Sequence, residues 1–286
     1  MKSNDLIYFL LKLRLLKMTN MLESFARGFI PEAELSLVHQ CTLQCNECGF
    51  NVPNQSIPWD NTLEEIKESL DVLRREGIKI GSLALLGGEA TLAPGILSSV
   101  AEMVQAHSTV QKLELVTNGL TPKGLKDGTI SCFDRISISQ YSNGDQLLHA
   151  WRNWVQSHDL DVEVIGRRHG SWDRMFGEVE LSKHAAQMAF STCWYRKHCV
   201  TIERSQIFLC SRIPKFEPTV EGVRLNPSTK RNEIVEYLVA SVAPDSCKRC
   251  VPMAGLSQVE PGIQPDDRIP RLERLALKYL SSKSNN

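Results

Sequence analysis

The sequence predicts an α/β fold built on a parallel sheet, with a smaller module of different character behind it. Between about residues 31 and 170, apolar runs of strand length alternate with stretches whose apolar residues recur at helical spacing. Polar or glycine-bearing segments follow these runs at 41–48, 87–91, 117–119, 137–141 and 166–169, where an open parallel sheet or a barrel gathers its chemistry. Beyond Gly170 the alternation stops and five cysteines follow, Cys193, Cys199, Cys210, Cys247 and Cys250. The chain therefore divides into an N-terminal helical extension (1–30), an α/β body (31–170) and a cysteine-bearing module closed by a helix (171–286).

Taken in order, Leu6 to Leu16 is apolar but short and broken by Lys12 and Arg14, which suits a packing helix and not a membrane span. Ala33, Leu35 and Leu37 alternate as in a strand. Thr62 and Glu65 form a capping-box pattern, and Leu63, Ile66, Leu70 and Leu73 continue at helical spacing until Gly77. Ile80 to Leu86 reads as a strand buried on both faces. Ile96, Leu97, Val100, Met103 and Val104 share a helix face. Strands are expected at Leu113 to Val116 and Phe133 to Ser139, a helix at Gln146 to Gln156, and a further strand marked by Leu160, Val162 and Val164. In the second module, short strands are expected at Val200 to Ile202 and Gln206 to Leu209, and Leu272, Leu275, Leu277 and Leu280 mark a terminal amphipathic stretch.

Composition narrows the function. At 286 residues and 42% hydrophobic, the chain can bury a substantial core. Lys plus Arg equals Asp plus Glu at 33 each, so no excess positive charge points to nucleic acid or an anionic membrane. The expected partner is a small or neutral molecule. Nine cysteines with no secretory leader point to a reducing, cytoplasmic setting in which thiols serve metals.

The most informative stretch is His39 to Phe50, H-Q-C-T-L-Q-C-N-E-C-G-F. Cys41, Cys45 and Cys48 form a C-x3-C-x2-C array just after a strand, and three thiolates can each hold one iron of a 4Fe-4S cluster, leaving the fourth iron open. Tetrahedral zinc is the alternative, but it wants four ligands, usually as two C-x2-C pairs, and this loop has one.

With Gly87-Gly88-Glu89 after the second strand, the array closely resembles that of the radical S-adenosylmethionine (SAM) enzymes. The resemblance implies a partial (β/α)6 TIM-like barrel in which Cys41, Cys45 and Cys48 ligate the cluster and SAM chelates its open iron. It implies that Gly87 and Gly88 admit the methionine end of SAM closely and that Glu89 accepts from its amino group. Asn118, Ser137 and Ser139 are then expected near the ribose and carboxylate, and Val164 near adenine. The family often carries an aromatic residue before the third cysteine; Glu47 stands there, and Phe50 is the expected substitute.

Cys193, Cys210, Cys247 and Cys250 resemble the ligands of the auxiliary-cluster module called twitch, a shortened relative of the SPASM domain. Four thiolates would ligate a second 4Fe-4S cluster fully, suiting it to electron transfer. Cys199 competes with Cys193 for the first position, Ser205 stands where that pattern has glycine, and a structural zinc site is the alternative use of these cysteines. Cys132 reads as a small core residue.

The layout is most similar to the twitch-bearing 2-deoxy-scyllo-inosamine dehydrogenases. That likeness implies oxidation of a hydroxyl-bearing carbon of a sugar or aminocyclitol through a 5′-deoxyadenosyl radical, with a reductant such as flavodoxin or ferredoxin. His169, Arg168, Arg174 and Tyr141 are the expected substrate-side residues, His169 because imidazole moves protons near neutral pH. Peptide crosslinking or epimerisation is the second enzymatic reading, and a non-catalytic iron-sulfur or zinc protein the third.

Overall fold

The computed structural model describes residues 18–55, 60–142, 144–217 and 222–283. The expected packing helix at Leu6 to Leu16 lies outside the described residues. Residues 18–26 form a helix, α1, that buries Met18, Met21 and Phe25.

Five strands follow, β1 Phe29–Ser36, β2 Lys79–Leu86, β3 Val110–Thr117, β4 Arg135–Ser139 and β5 Glu163–Arg167, with helices α2 Leu63–Arg75, α3 Pro94–Gln105, α4 Asp127–Ile130 and α5 Gln146–Gln156 between them. These strands pair in parallel in chain order. The capping box of α2 is complete: Thr62 Oγ1 accepts from Glu65 N at 3.2 Å, and Glu65 Oε2 accepts from Thr62 N at 2.8 Å. Gly77 ends that turn with φ of 64°, in the left-handed region that favours glycine. In α5, Trp151 and Trp154 are fully buried. The last of these strands starts later than expected, because Leu160 and Val162 lie in the approach to it.

The second module adds α6 Lys183–Ser191, α7 Trp194–His198, β6 Val200–Glu203, β7 Gln206–Phe208, α8 Arg212–Phe216, β8 Val223–Arg224, α9 Arg231–Leu238 and α10 Arg268–Lys283. Its strands join the same sheet, giving the order β5-β4-β3-β2-β1-β6-β7-β8. The expected α/β class with a mostly parallel sheet is observed. The sixth parallel strand, however, comes from beyond residue 170 and adds beside β1, where Ala33 pairs with Val200 and Leu35 with Ile202.

Two consequences position the site. The pairing of β6 on β1 brings the later cysteines beside the mouth of the strands that carry the earlier ones. The chain then returns from the second module to the cysteine loop: Asn46 N donates to Ile263 O at 3.0 Å, Gln44 N to Gln264 Oε1 at 2.7 Å and Arg268 Nη1 to Thr42 O at 3.3 Å. α10 then packs on α5, where Tyr279 meets Trp154 edge to face. Leu280 and Ala276 are its buried residues, whereas Leu275, expected on the apolar face, is 60% exposed.

Candidate active site

A cavity of about 470 Å³ opens at the carboxyl ends of the parallel strands, a volume suited to small-molecule binding. Cys41, Cys45 and Cys48 all line it, as do Gly87, Gly88 and Glu89. Burial pushes the Cys41 thiol up to about 12 and the Cys45 thiol up to about 11, and raises Cys48 as well. Amide donors nevertheless face the sulfurs: Gln264 Nε2 donates to Cys45 Sγ at 3.0 Å and Leu43 N to Cys41 Sγ at 3.4 Å. Donors to sulfur in a loop of one buried and two half-buried thiols fit an iron-sulfur cluster, whose charge and potential such donors would adjust.

The glycines act on the loop itself. Gly88 N donates to Val38 O and Glu89 N to Gln40 O, each at 2.8 Å, and a Cβ at Gly87 or Gly88 would collide with the Val38, His39 or Gln40 carbonyls. Their smallness lets two backbones meet, a role distinct from the ligand approach expected of them. Glu89 is 2% exposed. Its Oε1 accepts from Thr91 Oγ1 at 2.6 Å, Thr117 Oγ1 at 2.7 Å and Thr91 N at 3.1 Å, and its Oε2 accepts from Asn118 N at 2.8 Å. Burial still holds its pKa above the usual carboxylate value. Glu89 lines the cavity, and Oε2, with one hydrogen bond from Asn118 N, retains acceptor capacity.

Of the other expected ligand residues, Asn118, Ser139 and Phe50 line the cavity. Asn118 Nδ2 also reaches Thr42 Oγ1 at 3.1 Å. Ser137 does not line it: it is fully buried and its hydroxyl donates to Glu114 on the neighbouring strand. Val164 is 8% exposed and sits in the core instead. On the substrate side, Tyr141 and His169 line the cavity, and Tyr141 packs edge to face on Trp172 with ring centroids 5.9 Å apart. Arg168 is turned away to Asp145 at 2.9 Å, and Arg174 donates to Ser257 O at 3.3 Å. Both are exposed outside the cavity. Glu47, in the position where an aromatic residue was expected, accepts from the Met175 and Phe176 amides at 2.7 and 3.1 Å and so anchors the segment that closes one wall.

A second cavity is lined by Cys193, Cys210, Cys247 and Cys250, together with Phe190, Tyr195, Arg196 and Arg212. Burial raises all four thiols, Cys247 to about 12. Cys199 faces the first cavity instead and shares a hydrogen bond with Glu34. Cys132 is a buried member of the core. Among the described residues, no three His, Cys, Asp or Glu side chains converge on a single ion position. A cubic cluster carries its thiolates on separate irons and so needs cysteines around a volume rather than a point. The donor set of this cavity, four thiols with two arginines, fits such a group.

Sequence reasoning missed Tyr195 and Arg212, where the cavities meet, and Glu34 in the first cavity. Tyr195 and Arg212 line both. Tyr195 Oη donates to Asp173 Oδ2 at 2.9 Å, and Asp173 Oδ1 accepts from Gln258 Nε2 at 3.1 Å. Glu34, half-buried on β1, turns its open side to the first cavity, and Thr201 Oγ1 donates to it at 3.3 Å. Burial raises the Glu34 pKa, and the Lys215 ammonium partly opposes that rise.

No family model and no curated protein matches this sequence. Solved structures do. BtrN in complex with AdoMet and 2-DOIA superposes with a TM-score of 0.53 at 14% identity, over 82% of this chain and 96% of that one. The chain shares the fold of BtrN. SuiB of Streptococcus suis bound to S-adenosylmethionine gives a TM-score of 0.29 at 13% identity, over 69% of this chain and 63% of that one. At these identities the BtrN likeness is one of fold, and the SuiB overlap is too slight to add to it.

Proposed function

We propose that this protein is a radical SAM oxidoreductase that converts a hydroxyl-bearing carbon of a sugar or aminocyclitol to a ketone. The observation that carries the reading is the shared wall: Tyr195 and Arg212 stand between a three-cysteine cavity and a four-cysteine cavity. A molecule bound in the first lies within one side chain of the second. The fold is that of BtrN, which was solved with AdoMet and 2-DOIA.

On this reading Cys41, Cys45 and Cys48 hold a SAM-binding 4Fe-4S cluster, and Glu89, Asn118, Ser139 and Phe50 shape the SAM site. Cys193, Cys210, Cys247 and Cys250 hold an auxiliary 4Fe-4S cluster. When bound, these groups supply hydrogen-atom abstraction from carbon and an acceptor for the electron that remains. The chain's own residues do the rest. Glu34, unprotonated, takes the hydroxyl proton, so that one hydrogen atom, one proton and one electron leave the carbinol and a ketone results. His169 and Asp173 hydrogen-bond the remaining hydroxyls, and Tyr141 and Trp172 shield the site from water. A flavodoxin or ferredoxin supplies the electron for SAM cleavage.

The test is anaerobic reconstitution with iron and sulfide, followed by dithionite and SAM with candidate polyols. The expected result is about eight irons per chain, 5′-deoxyadenosine, and a ketone product. Cys247→Ala should keep SAM cleavage and lose the ketone. Zinc in place of iron, with no SAM cleavage, would overturn the reading; a modified peptide in place of a ketone would overturn its substrate class.

A further inference from the structure

Two buried arginines in the four-cysteine cavity each hold back one donor. Arg196 is 3% exposed and Arg212 is 9% exposed. Arg196 Nη2 donates to Leu238 O at 3.0 Å and Ala240 O at 2.6 Å, and its guanidinium lies 4.0 Å from the Phe190 ring centroid. Arg212 Nη1 donates to Glu217 Oε1 at 3.1 Å, and Nη2 to Arg249 O at 2.9 Å. The planar fork of Arg196 is thus fixed through Nη2, and that of Arg212 through both outer nitrogens. The Nε–H of both is buried without a partner in the protein. Buried donors are rarely left unpaired, because nothing repays their lost hydration. Two of them in the wall of one four-thiol cavity point to a common acceptor there.

Charge leads to the same place. Glu217 is the counter-ion of Arg212 and is shared with Arg249 at 2.6 Å. Among the described residues no carboxylate pairs with Arg196, which shares the wall of this cavity with Cys193 and Cys247. A buried guanidinium without a carboxylate is stable only beside some other anion. Four thiolates around an iron-sulfur core supply one.

We infer that Arg196 and Arg212 set the reduction potential of the cluster held by Cys193, Cys210, Cys247 and Cys250, each directing its Nε–H at cluster or thiolate sulfur. This rests on the two-cluster reading above. Hydrogen bonds to sulfur and nearby charge are the protein's levers on such a potential. An added electron makes the cluster more negative, so a fixed cation and its N–H favour the reduced state and raise the potential. For a cluster that must accept an electron from a substrate radical, that is the useful direction.

The measurement is the midpoint potential of the second cluster alone, in the full chain with Cys41, Cys45 and Cys48 changed to Ala, followed by EPR during anaerobic redox titration. Arg196→Gln should weaken reduction at least tenfold, a fall of about 59 mV for a one-electron couple. Arg196→Lys, which keeps the charge without the Nε–H, should recover part of that fall. Because Arg196 also ties the end of α9, Arg212→Gln is measured alongside and should move the potential the same way. A loaded parent whose potential is unmoved by these changes overturns the inference alone. A parent that loads no four-iron cluster overturns the two-cluster reading and the inference with it.

Discussion

Tyr195 and Asp173 are joined by a 2.9 Å hydrogen bond across the rim of the first cavity, with the Tyr195 ring also forming part of the second. Burial, with the Asp173 carboxylate, holds the Tyr195 hydroxyl in its protonated form, so it is a donor at any working pH. The ring and the hydroxyl thus have separable jobs. Tyr195→Phe should leave iron content unchanged and raise KM several-fold, because Asp173 loses the donor that aims it. Tyr195→Ala removes the ring from the wall and should also lower iron bound by the four-cysteine site. Iron and sulfide content, measured beside steady-state kinetics, separates the two effects.

Glu34 makes a pH dependence with a definite sign. Its folded-state pKa is raised, chiefly by burial, so the native state holds this proton more tightly than the unfolded chain does. That stability is fully present below the ordinary carboxylate value and is lost as pH rises through the raised one. Glu34→Gln removes the dependence. The apparent Tm of the variant should match the parent in acid and exceed it increasingly towards neutral pH. Turnover should move the opposite way: the parent rate rises as Glu34 ionises, and the variant stays low throughout. A variant that loses stability at neutral pH, or keeps the parent's pH-rate rise, would count against this assignment.

Much of this was legible in the sequence, because local signals govern the first half of the chain. The capping box at Thr62, the buried run before Gly87 and the limits of α5 follow from periodicity and punctuation. Glu34 left a readable trace as well: Glu32, Glu34 and Ser36 alternate with Ala33, Leu35 and Leu37, an acidic face on a strand otherwise covered on both sides. What could not be read is the pairing of β6 on β1, a contact between residues far apart in the chain, and with it the shared wall of Tyr195 and Arg212. Ser137 misled for a related reason. A polar residue near a strand end looks like a ligand, but strand register sets it beside β3, where Glu114 takes its hydroxyl.

Ser205 occupies the hairpin between β6 and β7 with φ of 52°, and Arg204 before it has φ of 51°. Two successive positive φ values describe the turn that glycine or asparagine favours. Holding a side chain there costs about 1–2 kcal/mol, whereas glycine gives back about 0.5–1 kcal/mol through the freer unfolded chain. The relief is the larger quantity. Ser205→Gly should therefore stabilise the protein by about 0.5–1 kcal/mol, seen as a rise in apparent Tm with iron content unchanged.

Cys193 and Cys199 are close in sequence and face different cavities. Cys193 lines the space shared by Cys210, Cys247 and Cys250, and Cys199 lines the first cavity beside Glu34. The two substitutions should therefore fail differently. Cys193→Ser should cost iron at the four-cysteine site and diminish the EPR signal of the second cluster. Cys199→Ser should keep both clusters and act through Glu34, since a serine hydroxyl is the stronger hydrogen-bond donor and would favour the ionised carboxylate. The rise of turnover with pH should then shift to lower pH in Cys199→Ser. If Cys199→Ser instead loses four irons and Cys193→Ser keeps them, the ligand assignment of the second site is reversed.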